Sequence, residues 1–552
     1  MSRPAVYAVA ALVGAVLAAP AAAQEGTGAP SASGRTEPVY EETVTEEYRV
    51  ETEHGTMYGV VERPDPEAYP ELYSEGQGTR GAGVPVLLVL SPYNNLYQPV
   101  AGGPQILSRG FGEFFVPRGY AYARFDVVGT RESTGCFDYG GVRERETGAA
   151  VVDFLGTRDW SNGRVGMIGG SYDGTTQLAT AVEAPEHLVA ILPQVAIDRW
   201  YDYAFGGGIR YLLNSEDPTE EGFDTPFAFD FGFALIPPSD LDPASGEVLA
   251  TRIEPCDRLL HTERAYDPDP VYDDFWLERD YRRLAHRVRA AVFLEGGWQD
   301  DNVKHWDTTR FFAALPRDHP KRMAIGQWGH ASSQFEDAED LRHAWFDHWL
   351  LGFDTGIMEL PPVDTEPFNG ERRQERSWPP PGTVDVRLDL AAGGEEAARG
   401  ELLLRNADEP AWTDSQPQLT EEQVFDLGCG DACLLFTGAP LDRDVRISGG
   451  PVLHLRATSD DASTHLVPVL FHENPDGGIT VVERGFLNTR NRAGLDVSEP
   501  LTPGEPYEAP VPIWDTDHIV PAGHRIGVAI MSANAAWALH DDDTFGVTTT
   551  LE

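Results

Sequence analysis

Short apolar runs recur along the N-terminal part of the chain and alternate with stretches of helical periodicity. The strand-like runs cover residues 58–61, 84–90, 121–125, 165–168, 188–192, 290–294 and 323–325. Helix-like stretches between them include residues 144–155, 175–182 and 307–315. Strands that alternate with helices predict a mostly parallel sheet with helices on both faces, which is the α/β class.

This alternation is interrupted over residues 200–289, approximately. The segment is rich in aromatic, acidic and proline residues and contains no clear strand pattern. Long insertions between two sheet strands commonly form active-site lids. We therefore predict a helical cap inserted into an α/β domain that spans residues 43–356.

A different pattern follows a Pro-rich stretch, residues 357–383, which we interpret as a domain linker. Strand-like runs with turn signals then cover residues 384–390, 451–458, 466–471, 479–482 and 526–530. Helical periodicity is scarce in this part of the chain. Residues 384–552 are therefore predicted to form a β-sandwich of the jelly-roll type.

The N-terminus has the features of a secretory signal peptide. Arg3 precedes an apolar run over residues 5–19, and the run ends in Ala21-x-Ala23. We predict cleavage after Ala23, a flexible linker over residues 24–42, and a secreted or periplasmic protein; an uncleaved anchor is the alternative. No later apolar run has the length that a membrane span needs.

The chain is strongly acidic. It carries 89 Asp and Glu against 42 Lys and Arg, a formal net charge of -47. Such a surface repels nucleic acids and anionic membranes, so neither is an expected partner. Because the acids are spread along the chain, general solvation in a salty or harsh exterior explains them better than steering of cationic substrates. A homo-oligomer is compatible with the sequence.

Four cysteines fit an exported protein with one or two disulfides. Cys429 and Cys433 could close a small loop, which would leave Cys136 and Cys256 as a long-range pair; free thiols are the alternative. Neither their spacing nor any adjoining histidine suggests zinc. We expect no metal and no cofactor.

One turn presents a candidate nucleophile. Val165-Gly-Met-Ile-Gly-Gly-Ser-Tyr-Asp-Gly174 predicts a strand, a tight turn and a helix with Ser171 at the turn, the arrangement called a nucleophile elbow. Gly169 and Gly174 would permit the strained backbone and the close approach of helix and strand. An ordinary strand-to-helix turn is the alternative for this motif alone.

An acid and a histidine follow later strands in the order that an elbow requires. Asp300 ends Glu295-Gly-Gly-Trp-Gln-Asp300, and His330 ends Gly326-Gln-Trp-Gly-His330. Open α/β sheets place their sites at these strand ends. We predict that His330 takes the Ser171 proton and that Asp300 orients the imidazole. Asp301 is the alternative acid, unless it caps the following helix.

These motifs together resemble the X-prolyl dipeptidyl-peptidase and cocaine esterase family of serine hydrolases. The similar segments are Gly169-Gly-Ser-Tyr-Asp-Gly174, Gly296-Gly-Trp-Gln-Asp300, Gln327-Trp-Gly-His330, Ser91-Pro-Tyr93, Asp126-Val-Val-Gly-Thr130, Phe346-Asp-His-Trp-Leu-Leu-Gly352 and Pro521-Ala-Gly-His-Arg525. The resemblance implies an α/β-hydrolase domain with a helical cap and a C-terminal jelly roll. It implies the triad Ser171, Asp300 and His330, and an oxyanion hole from the Tyr93 hydroxyl and the Tyr172 backbone N–H.

Substrate residues are also suggested by the resemblance. Trp200-Tyr-Asp-Tyr203 is similar to the segment after the nucleophile in X-prolyl peptidases. Trp200, Tyr201 and Trp298 are candidates for an aromatic wall that suits a proline ring, and Asp202 or Asp198 for a carboxylate that pairs with a free amine. Packing of the cap against the sheet is the alternative role for these aromatic residues.

Two departures from the family pattern concern substrate recognition. The family often has an aromatic residue where Gln299 or Asp301 stands, and the large N-terminal domain of some X-prolyl peptidases is missing. The predicted function is nevertheless an exported peptidase that removes Xaa-Pro dipeptides through an acyl-enzyme. An esterase or acylase with the same triad is the second hypothesis, and a carbohydrate-binding protein with an inert elbow is the third.

Overall fold

The computed structural model describes residues 10–16, 36–74, 83–94, 110–211, 256, 264, 267, 270–394, 396–540 and 542–552. Most of the predicted signal peptide, the first part of the predicted N-terminal linker and the middle of the predicted cap lie outside these residues. The first described element is strand β1 (Ala10–Val16).

A ten-stranded sheet forms the N-terminal domain. Its strands are β2 (Thr43–Thr52), β3 (Gly55–Pro64), β4 (Val84–Ser91), β5 (Ala121–Asp126), β6 (Ser161–Gly170), β7 (Leu188–Gln194), β10 (Ala291–Gly297), β11 (Lys321–Gly326), β12 (Val363–Thr365) and β13 (Arg373–Glu375), while β8 (Phe205–Gly206) and β9 (Ile209–Arg210) form a separate hairpin. The strand order is β13-β12-β11-β10-β7-β6-β4-β5-β3-β2, and every pair from β12 to β5 is parallel.

Helices cover both faces of this sheet. They are α1 (Phe111–Phe115), α2 (Val142–Gly156), α3 (Tyr172–Ala181), α4 (Trp200–Ala204), α5 (Asp274–Glu278), α6 (Tyr281–Leu284), α7 (Trp306–Ala314) and α8 (Ala338–Leu351), with 3₁₀ turns at Pro70–Leu72, Val116–Arg118, Ala285–Arg287 and Ile357–Glu359. Strand β4 shows why its apolar run is continuous. Leu88 belongs to the core that contains the α2 residue Val151, and Leu87 belongs to the core that contains Phe346 of α8. Both faces are therefore buried, as the α/β pattern predicts.

The C-terminal domain is rich in strands and is consistent with a β-sandwich. Its strands are β14 (Val384–Ala391), β15 (Glu401–Leu404), β16 (Ala411–Thr413), β17 (Cys433–Thr437), β18 (Val445–Gly449), β19 (Val452–Ser459), β20 (His465–Glu473), β21 (Ile479–Arg484), β22 (Leu487–Asn488), β23 (Tyr507–Pro512), β24 (Thr516–Val520), β25 (Arg525–Met531) and β26 (Thr548–Leu551). It also contains α9 (Glu421–Leu427) and 3₁₀ turns at Thr489–Asn491 and Asp542–Thr544. Strand β1 pairs antiparallel with β14. The α/β-hydrolase fold followed by a strand-rich domain matches the predicted fold class.

The predicted linkers differ from the structure at both ends of the hydrolase domain. Strands β12 and β13 lie within the predicted linker 357–383 and extend the hydrolase sheet, so only the last part of that segment connects the domains. In the predicted linker 24–42, Thr36 is docked on α8, where its backbone N–H donates to Asp347 Oδ2 at 2.6 Å. The composition of these segments predicts linkers, but it does not show that β12 and β13 pair with the sheet or that Thr36 bonds to α8.

Cys136 is bonded to Cys256, and Cys429 is bonded to Cys433. The first bond joins residues 120 positions apart, between the loop that follows β5 and the region predicted to form the cap. No helix within the described ranges is both long and apolar enough to cross a bilayer.

Candidate active site

Ser171 lies on a strained turn between β6 and α3. Its backbone has φ 60° and ψ -127°, a conformation that non-glycine residues rarely adopt. The turn requires glycine at two positions, because a side chain would be too close to its neighbours. A Cβ on Gly169 would lie 2.6 Å from Asp173 Cβ, and a Cβ on Gly174 would lie 2.6 Å from the Gln194 carbonyl oxygen. This geometry is the nucleophile elbow that the sequence predicts.

Asp300 and His330 meet at the ends of the neighbouring strands β10 and β11. His330 Nδ1 lies 2.9 Å from Asp300 Oδ2, and the Asp300 side chain is almost fully buried. Since a carboxylate only accepts, Nδ1 carries the proton and the Nε2 lone pair is left for chemistry. The other carboxylate oxygen, Oδ1, accepts the backbone N–H groups of Asn302 and Val303 at 3.0 Å each.

Asp301, the alternative acid, is not placed for this role. It is exposed, and its backbone carbonyl accepts a hydrogen bond from the Lys304 ammonium. The helix that follows begins at Trp306, so Asp301 does not cap it either. The structure therefore brings Asp300, and not Asp301, to His330.

Ser171 and His330 lie at the same edge of the sheet, because β6, β7, β10 and β11 are parallel neighbours. Within the described residues, no hydrogen bond joins the Ser171 hydroxyl to His330. In enzymes without substrate such contacts are often long and shorten only when substrate is bound. The His330 side chain is 25 % exposed, which leaves it accessible from the substrate side.

The Tyr93 hydroxyl lies beside the nucleophile. It is 3.4 Å from Ser171 Oγ, and it accepts the Tyr172 backbone N–H at 3.3 Å. The two donors that the family resemblance implies for an oxyanion hole therefore contact each other next to Ser171. An oxyanion placed there could accept from both groups.

The buried Glu144 carboxylate holds the Tyr172 side chain in place. The Tyr172 hydroxyl donates to the Glu144 carboxylate at 2.9 Å, and the Gly140 N–H donates to the same group at 2.8 Å. Burial, followed by the nearby Asp138 carboxylate, raises the pKa of Glu144 to about 8. Sequence reasoning missed Glu144, whose only signal was an acidic residue early in a predicted helix.

A second missed network supports the loop that follows His330. The Glu295 carboxylate accepts the Arg342 guanidinium through both oxygens, the Ser333 backbone N–H at 3.0 Å and the Gln194 side-chain amide at 2.6 Å. The Gln194 carbonyl in turn accepts the Ser171 N–H at 2.9 Å. Gln194 thus connects the nucleophile turn with the histidine loop.

The predicted aromatic wall requires a correction. Trp200 and Tyr201 are 1 % and 0 % exposed, so their rings pack in the core and reach almost no solvent. Trp200 packs against Tyr172 and donates to the Tyr281 hydroxyl at 3.1 Å. The sequence shows that this segment is rich in aromatic residues, but it does not show which of their rings are buried.

Tyr203 and Trp298 lie closer to the catalytic groups. The partly exposed Tyr203 donates to Asn302 Oδ1 at 3.1 Å, directly after the acid loop. Burial, and after it the nearby Tyr93 and Asp300, raise the pKa of Tyr203. Trp298 is 8 % exposed, lies two residues before Asp300 and packs against Trp378.

The predicted amine-binding carboxylates are already paired. Asp198 accepts Arg282 Nε at 2.6 Å, and Asp202 is bonded to Arg199 and lies 3.3 Å from Arg282 Nη1. Burial alone would raise the pKa of Asp202, but Arg199 and Arg282 hold it below its usual value. Both carboxylates are therefore held by arginines and are not free to pair with a substrate amine. The sequence did not reveal Arg282 as their partner, because it lies 80 or more residues away.

Among the described residues, no cluster of three or more His, Cys, Asp or Glu side chains could hold a metal ion.

Comparison with known families agrees with these features. Residues 77–332 match the X-Pro dipeptidyl-peptidase (S15 family) model, and residues 355–550 match the X-Pro dipeptidyl-peptidase C-terminal non-catalytic domain. A relative from Streptomyces avermitilis, named "Putative Xaa-Pro dipeptidyl-peptidase", is 30% identical over 525 residues, which covers 82% of this chain and 74% of the relative.

Solved structures share the fold over almost the whole chain. A CocE/NonD family hydrolase from Staphylococcus aureus superposes with a TM-score of 0.69 at 16% identity, covering 93% of this chain and 92% of that structure. An α-amino acid ester hydrolase superposes with a TM-score of 0.64 at 16% identity, covering 97% and 98%. At this identity the likeness concerns the fold alone.

Proposed function

Because the chain belongs to the X-Pro dipeptidyl-peptidase (S15) family of hydrolases, we propose that it removes Xaa-Pro dipeptides from peptide N-termini through an acyl-enzyme. The observation that supports this most directly is the Asp300–His330 contact of 2.9 Å at the sheet edge that also carries the Ser171 elbow. A serine turn alone has many uses, but a buried acid on a histidine at the same edge is the arrangement that activates a serine.

In the proposed reaction, His330 Nε2 takes the Ser171 proton as Oγ attacks the prolyl carbonyl carbon. The imidazolium that forms is stabilised by Asp300, whose carboxylate is fixed by two backbone N–H groups. The oxyanion accepts from the Tyr93 hydroxyl and the Tyr172 N–H. His330 then gives its proton to the leaving amine, and water, activated by the same histidine, releases the dipeptide from Ser171.

Tyr203 and Trp298 are the proposed walls for the proline ring. Tyr203 is partly exposed and is held beside the acid loop by Asn302, and Trp298 precedes Asp300 in that loop. Buried Trp200 supports Tyr203 from behind, with their rings 5.8 Å apart. A flat aromatic face excludes water and fits a proline ring better than a flexible side chain does.

We also propose that the protein is exported, with its signal peptide removed after Ala23. Two disulfides among four cysteines support this, since disulfides persist mainly in oxidising compartments. The test is N-terminal sequencing of the protein recovered from cell fractions. An intact Met1 in a cytoplasmic fraction would contradict export.

The activity test compares three substrates at equal concentration. We expect release of p-nitroaniline from Ala-Pro-p-nitroanilide and Gly-Pro-p-nitroanilide, and little from N-succinyl-Ala-Pro-p-nitroanilide, whose amine is blocked. The Ser171→Ala variant should be inactive on all three. Turnover of short p-nitrophenyl esters without turnover of prolyl amides would contradict the peptidase and favour the esterase or acylase hypothesis.

A further inference from the structure

A second cavity lies between the hydrolase domain and the sandwich. Its volume is about 300 Å³, and its lining comes from α4, the β8–β9 hairpin and α7 on one side and from residues 486–495 and 510–514 on the other. None of Ser171, Tyr93, Tyr172, Asp300 or His330 lines it. The cavity is therefore separate from the candidate active site.

Helix α4 separates the two sites. Asp202 lines the cavity, whereas the next residue, Tyr203, bonds to Asn302 beside the acid loop. A ligand in the cavity would thus contact the same short helix that carries the proposed substrate wall.

Aromatic rings form much of the cavity wall. Trp306 of α7 and Trp514 of the sandwich pack with their ring centroids 4.2 Å apart, and Phe486 lies 5.4 Å from Trp514. Tyr211 packs against Phe486 at 5.4 Å. Such a wall suits the apolar body of a small organic molecule.

The charge of the lining is opposite to that of the chain. Three of its four charged residues are arginines, namely Arg199, Arg310 and Arg492, with Asp202 as the fourth. In the whole chain acidic residues outnumber basic ones by 89 to 42. Arg199 and Arg492 are paired with Asp202 and Glu499, so Arg310 is the positive charge most open to an anionic ligand.

Arg310 has hydrogen-bond donors left for such a ligand. Within the described residues Arg310 makes no hydrogen bond, and its closest acidic partner is Asp515 at 3.6 Å. The guanidinium of Arg199, by contrast, is already bonded to Asp202, so Arg310 is the arginine available to an anionic ligand.

We propose that this cavity binds a small organic carboxylate with an aromatic or apolar body. The carboxylate pairs with Arg310, and the body packs against Trp306 and Trp514. Arginine presents planar donors that match a carboxylate, which makes it better suited to this role than a lysine. The proposal does not depend on the reaction at Ser171.

The binding test uses calorimetry on the full-length Ser171→Ala protein with phenylacetate as the probe. We expect saturable binding with a dissociation constant below about 1 mM, and at least about tenfold weaker binding of the neutral analogue phenylacetamide. Arg310→Gln should weaken phenylacetate binding by about tenfold or more. The matched control is Arg387→Gln, an exposed arginine of β14 paired with Asp389, which should bind as the parent does.

A crystal soaked with 4-bromophenylacetate gives a readout that does not depend on folding of a variant. The anomalous bromine signal is expected beside Trp306 and Trp514. Absence of binding, equal affinity for phenylacetamide, unchanged affinity in Arg310→Gln, or a bromine located only beside Ser171 would each overturn the proposal.

Discussion

The Tyr93 hydroxyl accepts the Tyr172 backbone N–H at 3.3 Å while lying 3.4 Å from Ser171 Oγ. A side chain from the segment after β4 and a backbone group from the start of α3 thus meet beside the nucleophile. A substrate oxyanion at this point would replace the contact between them with two contacts to itself. The arrangement is ready before substrate arrives, which is what makes such donors effective.

Removal of the Tyr93 hydroxyl should therefore slow the chemical step. Tyr93→Phe is expected to lower kcat by about 100- to 1000-fold with a small change in KM, because the lost hydrogen bond forms mainly in the transition state. Steady-state kinetics with Ala-Pro-p-nitroanilide measures this. Tyr48→Phe, which removes a hydroxyl bonded to Trp160 at the far edge of the sheet, is the control and should retain wild-type kinetics.

The two adjacent aspartates provide a matched pair. Asp300→Asn is expected to reduce kcat by about four orders of magnitude, since an amide can donate to Nδ1 and favours the wrong imidazole tautomer. Asp301→Asn should stay close to wild type, because its exposed carboxylate does not contact His330. A large loss in Asp301→Asn with little loss in Asp300→Asn would reverse the assignment.

The buried Glu144 makes stability depend on pH. Burial raises its folded pKa from the usual 4.5 to about 8, so it stabilises the fold fully below pH 4.5 and loses this contribution as pH rises through 8. Glu144→Gln does not titrate, and its melting temperature should rise relative to wild type between pH 5 and pH 8.5.

Differential scanning fluorimetry at both pH values checks this prediction. Glu339→Gln is the control, because Glu339 is an exposed acidic residue of α8 and its replacement is expected to change the pH dependence little. A melting-temperature difference between Glu144→Gln and wild type that is constant across this pH range would contradict the titration.

The two disulfides should differ in their contribution to stability. In the chain-entropy model, a bond across 120 residues contributes about 5 kcal/mol to the free energy of unfolding, and a bond across four contributes about 2 kcal/mol. The double variant Cys136→Ser/Cys256→Ser should therefore unfold at lower guanidinium concentration than Cys429→Ser/Cys433→Ser. Equal midpoints would show that loop length does not govern their effect.

Sequence patterns predicted the sheet centre and the site because the local signal there agrees with the fold. Strand β4 is a continuous apolar run, and Ser171, Asp300 and His330 each follow such a run directly. Strand β2 was missed because it lies at the sheet edge, half exposed and rich in charge. The roles of Asp202 and Trp200 depended on distant partners, Arg282 and Tyr281, which no local pattern reveals.

The strand order has a consequence for how this protein can change over evolutionary time. The segment predicted as a cap leaves the sheet after β7 and returns at β10, and these two strands are direct parallel neighbours. Its length can therefore vary while Ser171 on one side of β7 and the Asp300–His330 pair on the other keep their places. The catalytic residues are thus anchored on strands whose order does not depend on the inserted segment, so that segment can change without displacing them.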